Sequence, residues 1–209
     1  MSTASPPLVK PTTPVEPPVF NLPNQLTGLR FLLAIGLFIL IPFEQWFWCF
    51  VVFGVAAFTD WLDGYIARKQ GLTSTLGRNL DPLVDKVLIC GAYIMLLPFG
   101  AATTGLAAWM TVIVVSRELV VTGLRSFLEN QGAVFGADWS GKIKMVLQCA
   151  VLLAIFTTLA AGLPATVQTW GDTLLLSRNL LIYAMIVSTL VSGGQYLVQA
   201  VRLLERSRR

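Results

Sequence analysis

Four aspartates fall in the stretch DWLDGYIARKQGLTSTLGRNLDPLVD: Asp60, Asp63, Asp81 and Asp85. Asp60 and Asp63 are three residues apart, and Asp81 and Asp85 four, so each pair shares one face of a helix. Long apolar segments flank the stretch on both sides. A charged side chain in a bilayer costs roughly 2.5–3.5 kcal/mol on insertion scales, so an acid there is functional by default. If the two helices are antiparallel and joined by a short loop, the four carboxylates converge at one depth and repel each other unless cations take them up. Four carboxylates can bridge two divalent ions about 4 Å apart, an arrangement that serves phosphoryl displacement. The competing reading is a set of ion pairs with the adjacent Arg68, Lys69, Arg78 and Lys86.

Composition narrows the chemistry further. The chain has no histidine, which excludes histidine-based nucleophilic triads and histidine-ligated zinc or haem. Its three cysteines, Cys49, Cys90 and Cys149, are far apart and form no CxxC site or disulfide framework. A metal bound here must therefore use oxygen ligands, which favours hard cations such as Mg2+, Mn2+ or Ca2+. Hydrophobic residues make up 55% of the chain and charged residues only 12%, against about 25% in soluble domains. Mean hydropathy is +0.71. These values predict an integral membrane protein. The net charge of +4 does not point to nucleic acid, because the basic residues follow membrane topology instead of forming one patch.

The elements that must position the aspartates are apolar spans. The pattern predicts an all-α integral membrane fold, a six-transmembrane-helix bundle with an N-terminal interfacial segment. The spans are expected at about Gln25–Ile41, Trp46–Ala67, Leu80–Pro98, Leu106–Phe127, Lys142–Ala161 and Leu180–Leu203, each near the ~20 residues that cross a hydrocarbon core. Pro42 to Gln45 makes a tight turn, Trp46 and Trp48 suit an interfacial aromatic belt, and Glu129 to Ser140 reads as a polar loop. Residues 1–19 are rich in Pro, Ser and Thr and read as a disordered cytosolic tail. They lack the basic start and apolar core of a signal peptide and the arginines of a transit peptide. The bundle domain is expected over 20–205, followed by a basic tail at 206–209. With the first tail in the cytosol, all fifteen lysines and arginines except Arg178 fall on the cytosolic side. The positive-inside rule then sets both termini and all four acids toward the cytosol, in the cytoplasmic (inner) membrane.

Small residues accompany the acids. Gly64 follows Asp63, Ala67 lies one turn on, and Gly77 precedes Asp81 by four, which lets another group approach the helix closely. The pattern Asp60-x2-Asp63-Gly64-x2-Ala67-Arg68-x8-Gly77-x3-Asp81-x3-Asp85 resembles the signature of the CDP-alcohol phosphatidyltransferases, with every signature position present. The resemblance covers the chain from about Asn21 onward. It implies transfer of a phosphatidyl group from a CDP-linked lipid to an alcohol, with CMP leaving and two divalent cations, Mg2+ or Mn2+, bridging the pyrophosphate. It also implies that Asp60, Asp63 and Asp81 are the principal metal ligands. Asp85 would be the base that takes the acceptor proton and would also touch metal. Gly64, Ala67, Arg68 and Gly77 would line the nucleotide pocket, and the protein would be a homodimer. In-line displacement at phosphorus asks mainly for positioning and charge neutralisation, which agrees with this residue set.

Further cations bear on the acceptor. Arg117, Arg125, Lys142 and Lys144 all lie on the expected cytosolic half, and a basic pocket beside the metal site suits an acceptor carrying its own phosphate. The competing reading pairs Arg117 with Glu118 and lets both lysines snorkel to lipid headgroups. The segments Asn21-Leu22-Pro23-Asn24-Gln25-Leu26-Thr27-x2-Arg30, Arg117-Glu118-Leu119 through Leu124-Arg125, and Gly141-Lys142-Ile143-Lys144 resemble the glycerol 3-phosphate branch of the family, the phosphatidylglycerophosphate synthases. That resemblance implies CDP-diacylglycerol, glycerol 3-phosphate and membrane lipids as partners. It also implies that Asn24 and Thr27 border the nucleotide pocket and that Arg30 supports it; the local alternative for these three is helix initiation. Met145 departs from the small hydroxyl residue of that branch. Inositol phosphate or phosphatidylglycerol are the alternative acceptors. A transporter would spread its acids through the membrane and break paired spans, and a catalytically dead scaffold would have lost a signature aspartate. Neither pattern is present in this sequence.

Overall fold

A computed structural model describes residues 22–70, 75–130, 139–162 and 170–207, with the side chains of 22–24, 61, 63–70, 75–81, 129–130, 170 and 204–207 left outside the description. Seven α-helices and one 3-10 turn make up these residues, and no strand occurs among them. The helices are α1 (Leu22–Leu40), α2 (Trp46–Gln70), α3 (Thr75–Met95), α4 (Gly100–Thr104), α5 (Ala108–Asn130), α6 (Trp139–Ala160) and α7 (Trp170–Ser207), with the 3-10 turn at Leu97–Phe99. The tail expected over 1–19 lies outside the described residues.

Three of the helical stretches are long and apolar enough to cross a membrane: Pro82–Thr104, Trp139–Ala160 and Gly171–Leu203. Gln25–Leu40 and Trp46–Asp60 are shorter apolar helices. In α5, Arg117, Glu118 and Arg125 interrupt a mainly apolar helix. Large apolar side chains cover the outside of the bundle, including Leu32, Phe43, Leu119 and Val146. In a lipid solvent that is the expected arrangement, because outward apolar groups need no burial in protein.

The chain runs back and forth so that the end of α1, the start of α2 and the end of α3 share one pole. The turn over Ile41–Gln45 carries Glu44 at φ 55, and Trp46 packs edge-on against Phe99 with ring centroids 4.9 Å apart. The main core fills this half: Ala34 and Leu37 of α1, Phe53 of α2, Ala92 and Tyr93 of α3, Val114 of α5, Phe156 of α6 and Met185 of α7 are all buried. The Tyr93 hydroxyl donates to the Gln148 carbonyl at 3.0 Å and ties α3 to α6. A smaller cluster of Val121, Leu128, Tyr196 and Ala200 joins α5 to α7 at the opposite pole.

Several boundaries differ from the sequence expectation. The third helix begins at Thr75 instead of Leu80, so Pro82 sits inside it. Proline forfeits a helical hydrogen bond at that point, and the helix continues through it. The last helix begins at Trp170 instead of Leu180 and extends into the expected basic tail as far as Ser207. Arg178, expected just outside the final span, is therefore helical and only 5% exposed. Its polar atoms are satisfied internally: Nη1 donates to the Thr103 carbonyl at 2.9 Å and reaches the Thr158 hydroxyl at 3.5 Å. A cation near the last turns of α4 and α6 is also favoured by their helix dipoles.

Between α4 and α5, Gly105 adopts φ +77 and its N–H closes α4 onto the Ala101 carbonyl at 2.9 Å. A Cβ there would lie 2.9 Å from Asn179 Oδ1 and 3.0 Å from Arg178 Nε. Glycine thus provides both the left-handed turn and the room for α7. Gly105→Ala is expected to destabilise the fold by about 1–3 kcal/mol, the range for a strained backbone position. A thermal unfolding midpoint in detergent equal to that of the wild type would refute this.

Candidate active site

At the pole opposite the Trp46–Phe99 contact, three helices meet through one side chain. Arg30, in α1, is 1% exposed. Its Nη1 lies 3.1 Å from Asp60 Oδ1 of α2 and 2.8 Å from Asp85 Oδ1 of α3. Asp60 and Asp85 retain 32% and 20% side-chain exposure, so the ion pairs open toward solvent on the acid side. The expected convergence of α2 and α3 acids is thus met for Asp60 and Asp85. Among the described residues the cation that joins them is Arg30 of α1, a partner the sequence reading did not pair with these acids. The available signal was an arginine one turn after Thr27 within an apolar segment. Thr27 itself is buried, at 4% exposure.

The side chains of Asp63, Asp81, Arg68, Ala67 and Asn24, and the surroundings of Gly64 and Gly77, lie outside the described residues; their backbones belong to α2, α3 and α1. Among the described residues no three His, Cys, Asp or Glu side chains gather to hold a metal. The Asp60–Asp85 pair is an all-oxygen donor set converging on one positive centre, which fits a hard divalent ion.

Asp85 also forms part of the wall of an open cavity of about 890 Å³ between α3, α5, α6 and α7. Lys86, Arg117, Arg125, Lys142 and Lys144 line it, with Asp85 and Glu118 as its acids. All four cations singled out for an acceptor phosphate, Arg117, Arg125, Lys142 and Lys144, are therefore brought to one space next to the candidate base. Met145 lines the same cavity, so its departure from the expected residue type falls on the pocket wall.

The four cations differ in environment. Lys144 is 5% exposed and forms an ion pair with Glu118, so it does not snorkel to lipid. Arg117 Nη1 also reaches Glu118, at 3.3 Å, as the competing reading held, while its side chain still lines the cavity. Lys142 is exposed, with Nζ 5.1 Å from the ring centroid of the outward-facing Trp139. That pairing suits a membrane interface, where both side chains keep one polar end in water. Arg125 is exposed at the cavity rim. The sequence reading did not assign Gln148, Ser192 or Tyr196 to the site. A signal existed, since Ser192 and Tyr196 are polar residues four apart on one face of an apolar helix, as are Lys144 and Gln148.

A family model described as CDP-alcohol phosphatidyltransferase matches residues 20–191. The chain belongs to the CDP-alcohol phosphatidyltransferase family. It is 34% identical over 194 residues to a Bacillus subtilis protein named CDP-diacylglycerol–glycerol-3-phosphate 3-phosphatidyltransferase, covering 85% of this chain and 94% of that one. It is 32% identical over 195 residues to a Mycobacterium tuberculosis protein named probable phosphatidylglycerophosphate synthase, covering 88% of this chain and 83% of the relative. A Haemophilus influenzae protein with the same name as the Bacillus one is 34% identical over 142 residues, covering 64% and 74%. The family match spans all the described acids and the whole cavity wall up to its α7 face, where Tyr196 lies beyond it.

The Arg30 contacts give a direct test. Removing one partner of a buried ion pair leaves the others uncompensated. Because both acids are part-exposed, Arg30→Ala is expected to cost about 2–3 kcal/mol of stability, at or below the lower end of that range. It is also expected to reduce enzymatic turnover far more than the stability loss explains. Arg30→Lys should recover stability only in part, since an ammonium lacks the planar fork. Thermal unfolding and turnover of the two variants check this. Full turnover in Arg30→Ala would show that the contact has no part in the site.

Proposed function

We propose that this transferase moves the phosphatidyl group of CDP-diacylglycerol to glycerol 3-phosphate, giving phosphatidylglycerol phosphate and CMP. The observation that carries the reading is the basic cavity opening directly onto Asp85. An acceptor with its own phosphate needs such a site, and a neutral alcohol does not. The names of the Bacillus and Mycobacterium relatives agree with it.

In this reading the phosphate of the acceptor rests among Arg117, Arg125, Lys142 and Lys144, and its hydroxyl faces Asp85. Asp85 takes the hydroxyl proton as the oxygen bonds to the phosphatidyl phosphorus. The bond from that phosphorus to the bridging oxygen breaks, and CMP carries the electron pair away. Asp60, Asp63, Asp81 and Asp85 would hold two divalent cations, Mg2+ or Mn2+, which when bound neutralise charge on the pyrophosphate. Arg30 fixes the orientation of Asp60 and Asp85. Gly64, Ala67, Arg68, Gly77, Asn24 and Thr27 would border the nucleotide. By the same family resemblance, the protein works as a homodimer with a bundle domain over 20–205. Six crossings would match the six apolar segments of the sequence, and the one-sided distribution of lysine and arginine supports an orientation with both termini and the site on the cytosolic face of the inner membrane.

Purified protein supplied with Mg2+ or Mn2+ should convert labelled glycerol 3-phosphate and CDP-diacylglycerol to product and release CMP. Parallel reactions with inositol phosphate and phosphatidylglycerol test the acceptor. Turnover with one of these and none with glycerol 3-phosphate refutes the acceptor assignment. Asp85→Asn should lose roughly 10²–10⁴-fold in kcat, the usual worth of a general base. An unchanged kcat removes Asp85 from that role. Chelation of divalent cations should abolish activity, and full activity after chelation would remove the metals from the mechanism.

A further inference from the structure

Glu118 is an odd residue for an anion site. It is 7% exposed and its carboxylate belongs to the cavity wall, where Coulomb's law alone says it should repel a phosphate. The structure nevertheless makes it a hub. Lys144 Nζ donates to Glu118 Oε1, and Gln148 Nε2 donates to the same oxygen at 3.3 Å. Arg117 Nη1 reaches Oε1 at 3.3 Å and Oε2 at 3.5 Å. On the other side of the guanidinium, Arg117 Nη2 donates to Ser192 Oγ at 2.6 Å. Ser192 is fully buried. The guanidinium carbon lies 5.6 Å from the Tyr196 ring centroid, and a Cβ on Gly193 would be 3.4 Å from Arg117 Cγ. Arg117 is thus gripped by α5 and α7, and Lys144 by α5 and α6.

We propose that Glu118 and Ser192 are positioning residues that preset Arg117 and Lys144 as phosphate donors, so that two side chains which need not touch the acceptor set its affinity. This rests on the glycerol 3-phosphate reading above. Free arginine and lysine side chains lose much rotamer freedom when they close on a phosphate. A network that has already ordered them removes that cost from binding. Donors remain for the anion: Lys144 Nζ carries three hydrogens and Arg117 Nη2 two, one of which goes to Ser192.

The two physical effects of Glu118 have opposite signs, which makes the proposal testable. Steady-state kinetics on the full-length protein in detergent, varying each substrate with the other saturating, separate them. If Glu118 acts only as an unfavourable charge, Glu118→Gln lowers the KM for glycerol 3-phosphate. If it positions the cations, the variant raises that KM by roughly tenfold, the worth of a lost charged hydrogen bond. The KM for CDP-diacylglycerol then stays within about twofold of the wild type, and inorganic phosphate weakens as a competitive inhibitor in parallel. Ser192→Ala leaves every charge in place and is expected to raise the acceptor KM by roughly threefold, as loss of one hydrogen bond would. A lowered acceptor KM in Glu118→Gln overturns the proposal, as does an unchanged acceptor KM in Ser192→Ala. Equal rises in both substrate KM values also overturn it, because a merely structural defect would produce them. If Glu118→Gln does not fold, Ser192→Ala decides. If the wild type uses a different acceptor, the glycerol 3-phosphate reading fails, and the same KM split is read on the acceptor it does use.

Discussion

One guanidinium ties the candidate active-site pole of this protein together. Arg30 Nη1 touches Asp60 of α2 and Asp85 of α3 from its place in α1, and nearly all of the arginine is removed from solvent. Acids of like charge on adjacent helices would otherwise drive those helix ends apart. A buried cation between them turns that repulsion into a three-helix clamp and fixes where each carboxylate stands. The cavity depends on this clamp, because Asp85 forms part of its wall and α3 is the element that places both. The opposite pole is arranged without charge of this kind, through the Trp46–Phe99 edge contact and a closely packed apolar core. Arg178, the buried cation described there, is absorbed by the Thr103 carbonyl, the Thr158 hydroxyl and Asn179 Oδ1.

The distribution of polarity explains how such an apolar chain can hold a water-soluble substrate. Apolar side chains face outward along most of the bundle, as lipid permits, and the polar residues are gathered inward at one end. The buried cations there are not bare. Glu118 takes Lys144, Gln148 and Arg117, and Ser192 takes the other side of Arg117. Satisfaction of this kind is what a low-dielectric interior demands of polar groups. It also turns flexible side chains into fixed ones. On the function proposed above, structural necessity and substrate recognition place the same residues in the same way.

The sequence by itself determined the reaction class and the membrane setting. Four aspartates at helical spacings with their attendant small residues are a local pattern. Hydrophobic content and the one-sided placement of lysine and arginine are visible in a linear reading. The turn at 41–45 and the start of α2 at Trp46 were legible for the same reason: a proline and polar residues interrupt an apolar run. Helix starts were less legible where polar residues hid them. α3 starts at Thr75, ahead of Pro82, and α7 starts at Trp170, ahead of Arg178, although an apolar-run reading begins each helix only where the apolar residues start. Apart from Arg117 and Glu118, which cation pairs with which acid among the described residues was decided by the tertiary structure. Arg30 lies far from Asp60 and Asp85 in the chain, Lys144 far from Glu118, and Ser192 far from Arg117. One sequence neighbour does pair, Arg117 with Glu118, but the spacing rules of a helix say nothing of partners on other helices. Long-range packing then selects partners that no spacing rule contains.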